Sequence, residues 1–243
     1  MAEVTGSSLT EAWREAVRLA IANHGRVTGL TVVINGIENG RPAEDLRFRD
    51  RLNELLDHHG HASVETVSRT IFPIGLWNPL APRAQLYQRY FKILPKLRAC
   101  PRNRKGHYFE RLTNFPGAKG GSGFNQLEQI MSAYLAGTHR VSALQACLMN
   151  PLTDLNNSPY LSFPCLQQVA FIPDGSSGSL AVMGFYPMHY LFQRAYGNYL
   201  GLINLGHFMA TEMRLTLSRM ICVAGAAQLE VPQAEVAPLI RNH

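Results

Sequence analysis

The segments SLAVMGF (179–185), HYLFQRAYGNYLGLINLGHFMATEM (189–213) and RMICVA (219–224) decide the fold. The outer two are short, apolar and bounded by turn residues, which predicts strands, while the spacing across 189–213 predicts one long helix. Working outward, 167–172 predicts a strand that turns at Pro173-Asp174-Gly175 into 179–185, and 141–149 a further strand. Near the start, 9–23 has helical spacing at Trp13, Ala16, Val17, Ala20 and Ile21, with Thr10 as N-cap. GLTVVI (29–34) then predicts a strand running into the Asn35-Gly36 and Asn39-Gly40 turns. Helical spacing recurs at 50–59, 84–97 and 125–136, whereas Pro73, Pro79 and Pro82 exclude a long element between 71 and 82. PGAKGGSG (116–123) lacks the Gly-Lys-Ser/Thr ending of a phosphate loop and reads as a surface connector. No repeat or linker divides the chain. The pattern predicts one α+β domain over 1–243, with a mostly antiparallel or mixed sheet and packed helices.

The 243 residues are 46% hydrophobic and 16% charged, enough apolar matter for a sizeable core. No apolar run is long enough to span a bilayer, so no membrane partner is expected. The start, MAEVTGSSLTEAWREAV, lacks the basic-then-apolar order of a secretory signal, and the expected location is cytoplasmic. A net charge of +6 favours anionic partners. There is no basic region with heptads and no aromatic ribonucleoprotein signature, so polymeric nucleic acid is not expected. Cys100, Cys147, Cys165 and Cys222 show no CxxC spacing, and His58, His59 and His61 lack a HExxH partner, so no metal site is expected. No Gly-x-Ser-x-Gly elbow follows a strand, which argues against a serine hydrolase.

The feature with chemical content is Ser162-Phe163-Pro164-Cys165, just before the 167–172 strand. There a thiol can project from a backbone that Pro164 restrains. Taken alone, such a cysteine is more often a small buried hydrophobe.

The order of segments around it resembles the thymidylate synthase and deoxycytidylate hydroxymethylase superfamily, over about residues 106–230. Gln193-Arg194-Ala195-Tyr196-Gly197-Asn198-Tyr199-Leu200-Gly201-Leu202 is similar to the family's Gln-Arg-Ser-x-Asp-x-Phe-Leu-Gly-Leu. Ahead of it, Asn150-Pro151 and Pro164-Cys165 follow the family's Asn-Pro, loop, Pro-Cys order. Gly106-His107-Tyr108 resembles the Gly-x-Val-Tyr-Gly element, and Asn125-Gln126-Leu127 the Asp-Gln-Leu at a helix start. Residues 225–230 (GAAQLE) stand where Gly-Asp-Ala-His-x-Tyr is expected.

The resemblance implies a homodimeric enzyme that transfers a one-carbon unit, as methyl or hydroxymethyl, to C5 of a pyrimidine nucleotide. Methylenetetrahydrofolate is the implied donor. C5 becomes nucleophilic only after a thiolate adds to C6, and Cys165 is the implied thiolate. Arg194 is the implied phosphate ligand, and Arg140 matches one of an arginine pair that reaches the phosphate of the neighbouring subunit. Tyr108 is implied in proton transfer. Glu65 is the candidate for the family's N-terminal glutamate, with Glu54 as competitor.

This sequence also departs from the pattern. Gly197 replaces the aspartate that contacts the pteridine, and Ala195 the serine beside the phosphate. Leu205 falls where the family has its base-reading asparagine, with Asn204 one residue earlier. Gln228 and Glu230 replace the sugar-reading His and Tyr, so a ribose hydroxyl is expected to be accepted. The sequence stops 13 residues past Glu230, so a segment closing over a cofactor is not expected. These departures keep two further readings open. One is a catalytically reduced homologue that binds a nucleotide or another protein; the other is a folate-independent enzyme using the thiol on a related heterocycle.

Overall fold

The computed structural model describes residues 1–103, 106–117, 123–137, 139–155 and 164–241. Ser162, Phe163 and most of the 116–123 connector lie outside the described residues. In chain order the elements begin with β1 (Ala2–Gly6), α1 (Leu9–Ala22), β2 (Arg26–Ile34), the hairpin β3 (Ile37–Glu38) and β4 (Arg41–Pro42), and α2 (Leu46–His58). Next come α3 (Val64–Ile71), α4 (Ala84–Ala99), α5 (Tyr108–Thr113), α6 (Gln126–Leu135), β5 (Gln145–Cys147) and α7 (Pro151–Asp154). The chain continues through β6 (Gln168–Asp174), β7 (Ser179–Tyr190), α8 (Tyr196–Glu212), β8 (Thr216–Gln228) and α9 (Gln233–Ile240).

Six strands form one mixed sheet in the order β1-β2-β8-β7-β6-β5. The β1/β2 and β7/β8 pairs are parallel and the other three antiparallel. A parallel pair cannot be closed by a tight turn, and α8 is the crossover that returns the chain from β7 to β8. Twelve of the 17 residues of α8 are buried, so it is a core helix rather than an amphipathic one. Gly197 and Gly201 let α3 cross it closely: a Cβ at 197 would lie 2.6 Å from Val67 Cβ and 2.8 Å from the Val64 carbonyl oxygen.

The helices gather on one sheet face, where Val4, Leu30, Val32, Val182, Tyr186, Phe171, Met220 and Cys222 are buried. Rows of alternate residues mark the other face. Val33, Ile221, Met183 and Ala170 stand side by side in register, and so do Thr31, Val223, Phe185 and Gln168. Of the residues in these rows Phe185 is exposed, as is Ile172, and the rest are half-buried.

Three expectations are corrected. The helix expected over 189–213 is a strand to Tyr190, a π-turn over Leu191–Ala195, and only then α8. The reason is non-local: Met188, His189 and Tyr190 pair with Ala226, Ala227 and Gln228 of β8, which outweighs local helical spacing. The N-cap of α1 is Ser8, whose side chain accepts the Glu11 N–H, while Thr10 is buried and bonded to Tyr196. The strand expected over 141–149 is a 3₁₀ turn at Val141–Ala143 followed by the short edge strand β5. Among the described residues no helix is long and apolar enough to cross a membrane.

Candidate functional site around Cys165

Cys165 is half-buried just ahead of β6. The chain after it is clamped on both sides: the Gln167 N–H donates to the Phe185 carbonyl at 2.9 Å, and the Gln167 carbonyl accepts the Leu148 N–H at 2.8 Å. The thiol is therefore carried by sheet backbone on its C-terminal side.

Tyr108 opens α5 beneath this segment. Its phenol oxygen accepts the Leu166 N–H at 3.4 Å, which leaves the phenol proton for the Cys165 sulfur. Burial pushes the Cys165 thiol up from its ordinary value; the positive charge of Arg194 and the hydrogen bond from Tyr108 pull the other way. Burial outweighs them, so the resting group is a protonated thiol at neutral pH. The Tyr108 phenol is raised too, by burial first and then by the nearby sulfur.

Arg194 lies in the π-turn, exposed to solvent. Such turns insert one residue into a helical ladder and re-aim the side chains they carry. Glu230 follows β8 and folds back onto the turn, its carboxylate accepting the Gln193 N–H at 2.6 Å and the Phe192 N–H at 3.3 Å. These are amides at the start of a helical segment, which lack partners within it. Burial raises the Glu230 carboxyl above its ordinary value, against those amide bonds and the charge of Arg194. Gln228, half-buried, ends β8 between Arg26 and Tyr190.

Cys165, Tyr108, Arg194 and Glu230 thus form one electrostatically connected group. The remaining candidates stand elsewhere. Asn204 donates to Ser68 Oγ at 3.1 Å and ties α8 to α3. Glu65 pairs with Arg49 at 3.3 Å and accepts from Asn53 at 3.2 Å. Arg49 also pairs with Glu44 at 2.8 Å, and Glu44 accepts from the Tyr196 hydroxyl at 3.2 Å. Glu65 therefore belongs to an acid–arginine cluster between α2, α3 and α8. Arg140 is exposed in the turn before β5. His59 pairs with Glu235 at 2.5 Å and stacks on His61. Among the described residues no group of three metal-ligating side chains is assembled.

At Gly197, where a pteridine-contacting aspartate would project, α3 fills the space, and the Ala195 side chain is buried.

Sequence reasoning missed a buried polar group between β7, β8 and α8. His189 on β7 lies 3.0 Å from Asn198 and 3.8 Å from the Cys222 sulfur, and its ring stacks on Tyr186. Its members look like ordinary strand and helix residues in the sequence, and only the register of β7 on β8 brings them together.

Compared with known proteins, the chain matches no family model and no curated protein.

Proposed function

We propose that this protein is a pyrimidine-nucleotide C5 one-carbon transferase, methylating or hydroxymethylating, that works through a Cys165 adduct at C6. The observation that carries the reading is the placing of the Tyr108 phenol and the Arg194 charge against one half-buried thiol. Attack of the Cys165 thiolate on C6 forms the C–S bond and moves the ring π-electrons toward C5 and the carbonyl oxygen. C5 then attacks the carbon of a one-carbon electrophile, opening its C=O π bond or displacing its leaving group. The C5 proton passes to a base and the C–S bond breaks to return the Cys165 thiolate, so an aldehyde-level carbon gives the hydroxymethyl product and a donor already at the methyl level gives the methyl product. Arg194 holds the nucleotide phosphate and lowers the cost of the thiolate. The donor is a one-carbon electrophile, and no step is assigned to folate because residue 197 has no side chain to meet it.

A homodimer is part of the proposal. The apolar row of Val33, Ile221, Met183 and Ala170, beside exposed Phe185, suits a second copy of the same face, and by the resemblance exposed Arg140 would then serve the neighbouring subunit's phosphate.

One observation favours the second reading, a binding module with reduced catalysis: burial leaves Cys165 protonated at rest. Intact-mass trapping with 5-fluoropyrimidine nucleotides, with and without methylenetetrahydrofolate, separates the two. A covalent adduct on Cys165 supports the enzyme. Tight binding without an adduct supports the binding module. An adduct that needs no folate supports folate-independent chemistry on the same or a related heterocycle.

A further inference from the structure

Helix α5 is short, yet it reaches both sides of the segment that carries Cys165. Tyr108, its first residue, accepts the Leu166 N–H at 3.4 Å, just past the thiol. Arg111, one turn further and on the same side of the helix, reaches the chain ahead of the thiol. Its Nη1 donates to the Leu148 carbonyl at 3.0 Å and to Asp154 Oδ2 at 2.8 Å, and its Nη2 donates to Asp154 Oδ1 at 2.9 Å. Asp154 Oδ2 also accepts the Asn150 N–H at 2.7 Å, which closes α7 on its own first turn. Leu148 in turn donates its N–H to the Gln167 carbonyl at 2.8 Å. One guanidinium thus ties α5 both to Leu148, just past β5, and to the end of α7, the element that precedes Cys165.

This pair contributes direction more than energy. The Arg111 and Asp154 side chains are only 13% and 9% exposed. Taking two charges out of water costs about what their attraction returns, so an apolar pair of similar volume would hold the fold as well. An apolar pair has no direction, whereas a forked guanidinium–carboxylate contact fixes distance and plane together. Burial by itself would raise the Asp154 carboxyl, but the hydrogen bonds from Arg111 and the Asn150 amide outweigh it and hold the group below its ordinary value. The fork is therefore ionised at neutral pH. Helix α5 is itself fixed to β5, because Gln126 donates to the Arg111 carbonyl at 3.0 Å and to the Cys147 carbonyl at 2.7 Å, and accepts the Cys147 N–H at 2.9 Å.

We infer that Arg111 is a positioning residue of the Cys165 site: through Asp154 and Leu148 it fixes the chain ahead of the thiol to the same helix whose Tyr108 meets the chain behind it. The place of the sulfur against the Tyr108 phenol is then set by α5 and not by the connecting chain, of which residues 156–163 lie outside the described residues. The inference rests on Cys165 being the reactive group of the proposed site, and deepens that reading by naming what keeps phenol and thiol in register. Arg111 acts through its partners, so its loss is read in how strongly Tyr108 influences the thiol.

The test uses the whole protein and no nucleotide. Site-resolved mass spectrometry follows iodoacetamide alkylation of Cys165 against pH in the unmodified chain, Tyr108→Phe, Asp154→Asn and the double variant. Asp154→Asn keeps the shape and one acceptor oxygen but loses the charged fork. In the unmodified background Tyr108→Phe is expected to move the Cys165 profile up by about 0.5–1 pH unit, a rate loss of roughly 3–10-fold near neutrality, because the phenol favours the thiolate. In the Asp154→Asn background the same change is expected to move it by about half as much or less. Arg111→Lys, which keeps the charge without the fork, should uncouple Tyr108 in the same way. Arg83→Gln is the control: Arg83 pairs with Glu128 at 2.8 Å and Glu212 at 3.3 Å, joining α4, α6 and α8, so its loss should lower the melting temperature and leave the Tyr108 effect whole. An equal Tyr108→Phe shift in the unmodified and Asp154→Asn backgrounds overturns the inference, and so does no shift in either. Equal uncoupling by Arg83→Gln overturns it as well, since any loosening of the fold would then suffice. Failure of both Asp154→Asn and Arg111→Lys to fold does the same, because the pair would then be a requirement of the fold. Failure of fluoropyrimidine trapping would count against the transferase reading alone, since alkylation needs no nucleotide.

Discussion

Glu230 caps the segment that carries Arg194: its Oε1 accepts the Gln193 N–H at 2.6 Å. The resemblance placed this carboxylate on a ribose hydroxyl, and in the fold it accepts the amides that open the π-turn. A carboxylate has acceptor positions to spare, so contact with a sugar is compatible with the cap, though its first task is to hold the π-turn.

Glu230→Ala should therefore cost about 1–2 kcal/mol of stability, as the loss of a side-chain cap does. Denaturant unfolding at neutral pH measures it. Glu230→Gln, which keeps one acceptor oxygen, should cost less, and equal losses would place the role of Glu230 outside the cap.

Cys165→Ser should abolish covalent trapping of 5-fluoropyrimidine nucleotides while leaving circular dichroism and melting nearly unchanged, because a similar volume remains at a half-buried position. An adduct of the same mass on Cys165→Ser would show that another residue is the nucleophile.

Arg194→Ala should weaken monophosphate binding by tenfold or more on the order of a charge-assisted bond, and nucleoside binding much less. Calorimetry with paired ligands reads the difference. Because Arg194 also lowers the Cys165 thiol, the same variant should slow alkylation of Cys165 at neutral pH.

Gly197→Ala should destabilise by about 1–3 kcal/mol, since the added methyl meets Val67 and the Val64 carbonyl and must push α3 off α8. Gly197→Asp should be worse and should not restore a folate response. A stable Gly197→Asp with normal melting would mean that α3 leaves room there.

Glu44 sets a pH dependence with a definite sign. Burial raises its carboxyl above 4.5 in the fold, despite Arg49 and the Tyr196 hydroxyl, so the native state holds this proton longer than the unfolded chain. The contribution is complete below 4.5 and is lost as pH rises through the folded value. Relative to the unmodified protein, Glu44→Gln should gain ground as pH climbs from about 4.5 toward neutrality. Melting curves across that range check the slope, and a difference that runs the opposite way would show that Arg49 dominates.

Local pattern was enough to find much of the sheet. GLTVVI, SLAVMGF and RMICVA carry enough apolar and β-branched residues to mark β2, β7 and β8, and the spacing at Leu127, Ile130 and Met131 marks α6. The motif order also drew attention to Cys165, Tyr108 and Arg194, which the structure brings together. Residues 2–6 escaped because AEVTG has too few apolar residues to announce a strand; it becomes one by pairing with β2. Helix α3 escaped because eight residues give little periodicity, and its place is fixed by two glycines on another helix.

The sequence by itself determined the cores of β2, β7 and β8 and the helix α6, the residue types available for chemistry, and the chain order of the Cys165 motif. Those are properties of short windows, set by side-chain periodicity and turn chemistry. Tertiary structure alone decided that 189–190 is strand, that Glu230 serves the Gln193 amide, that Glu65 belongs to Arg49, and that His189 meets Asn198, Cys222 and Tyr186. Each depends on the register of distant segments. Register is a collective choice of the whole sheet, made where burial and hydrogen bonding across strands outweigh what any one segment prefers.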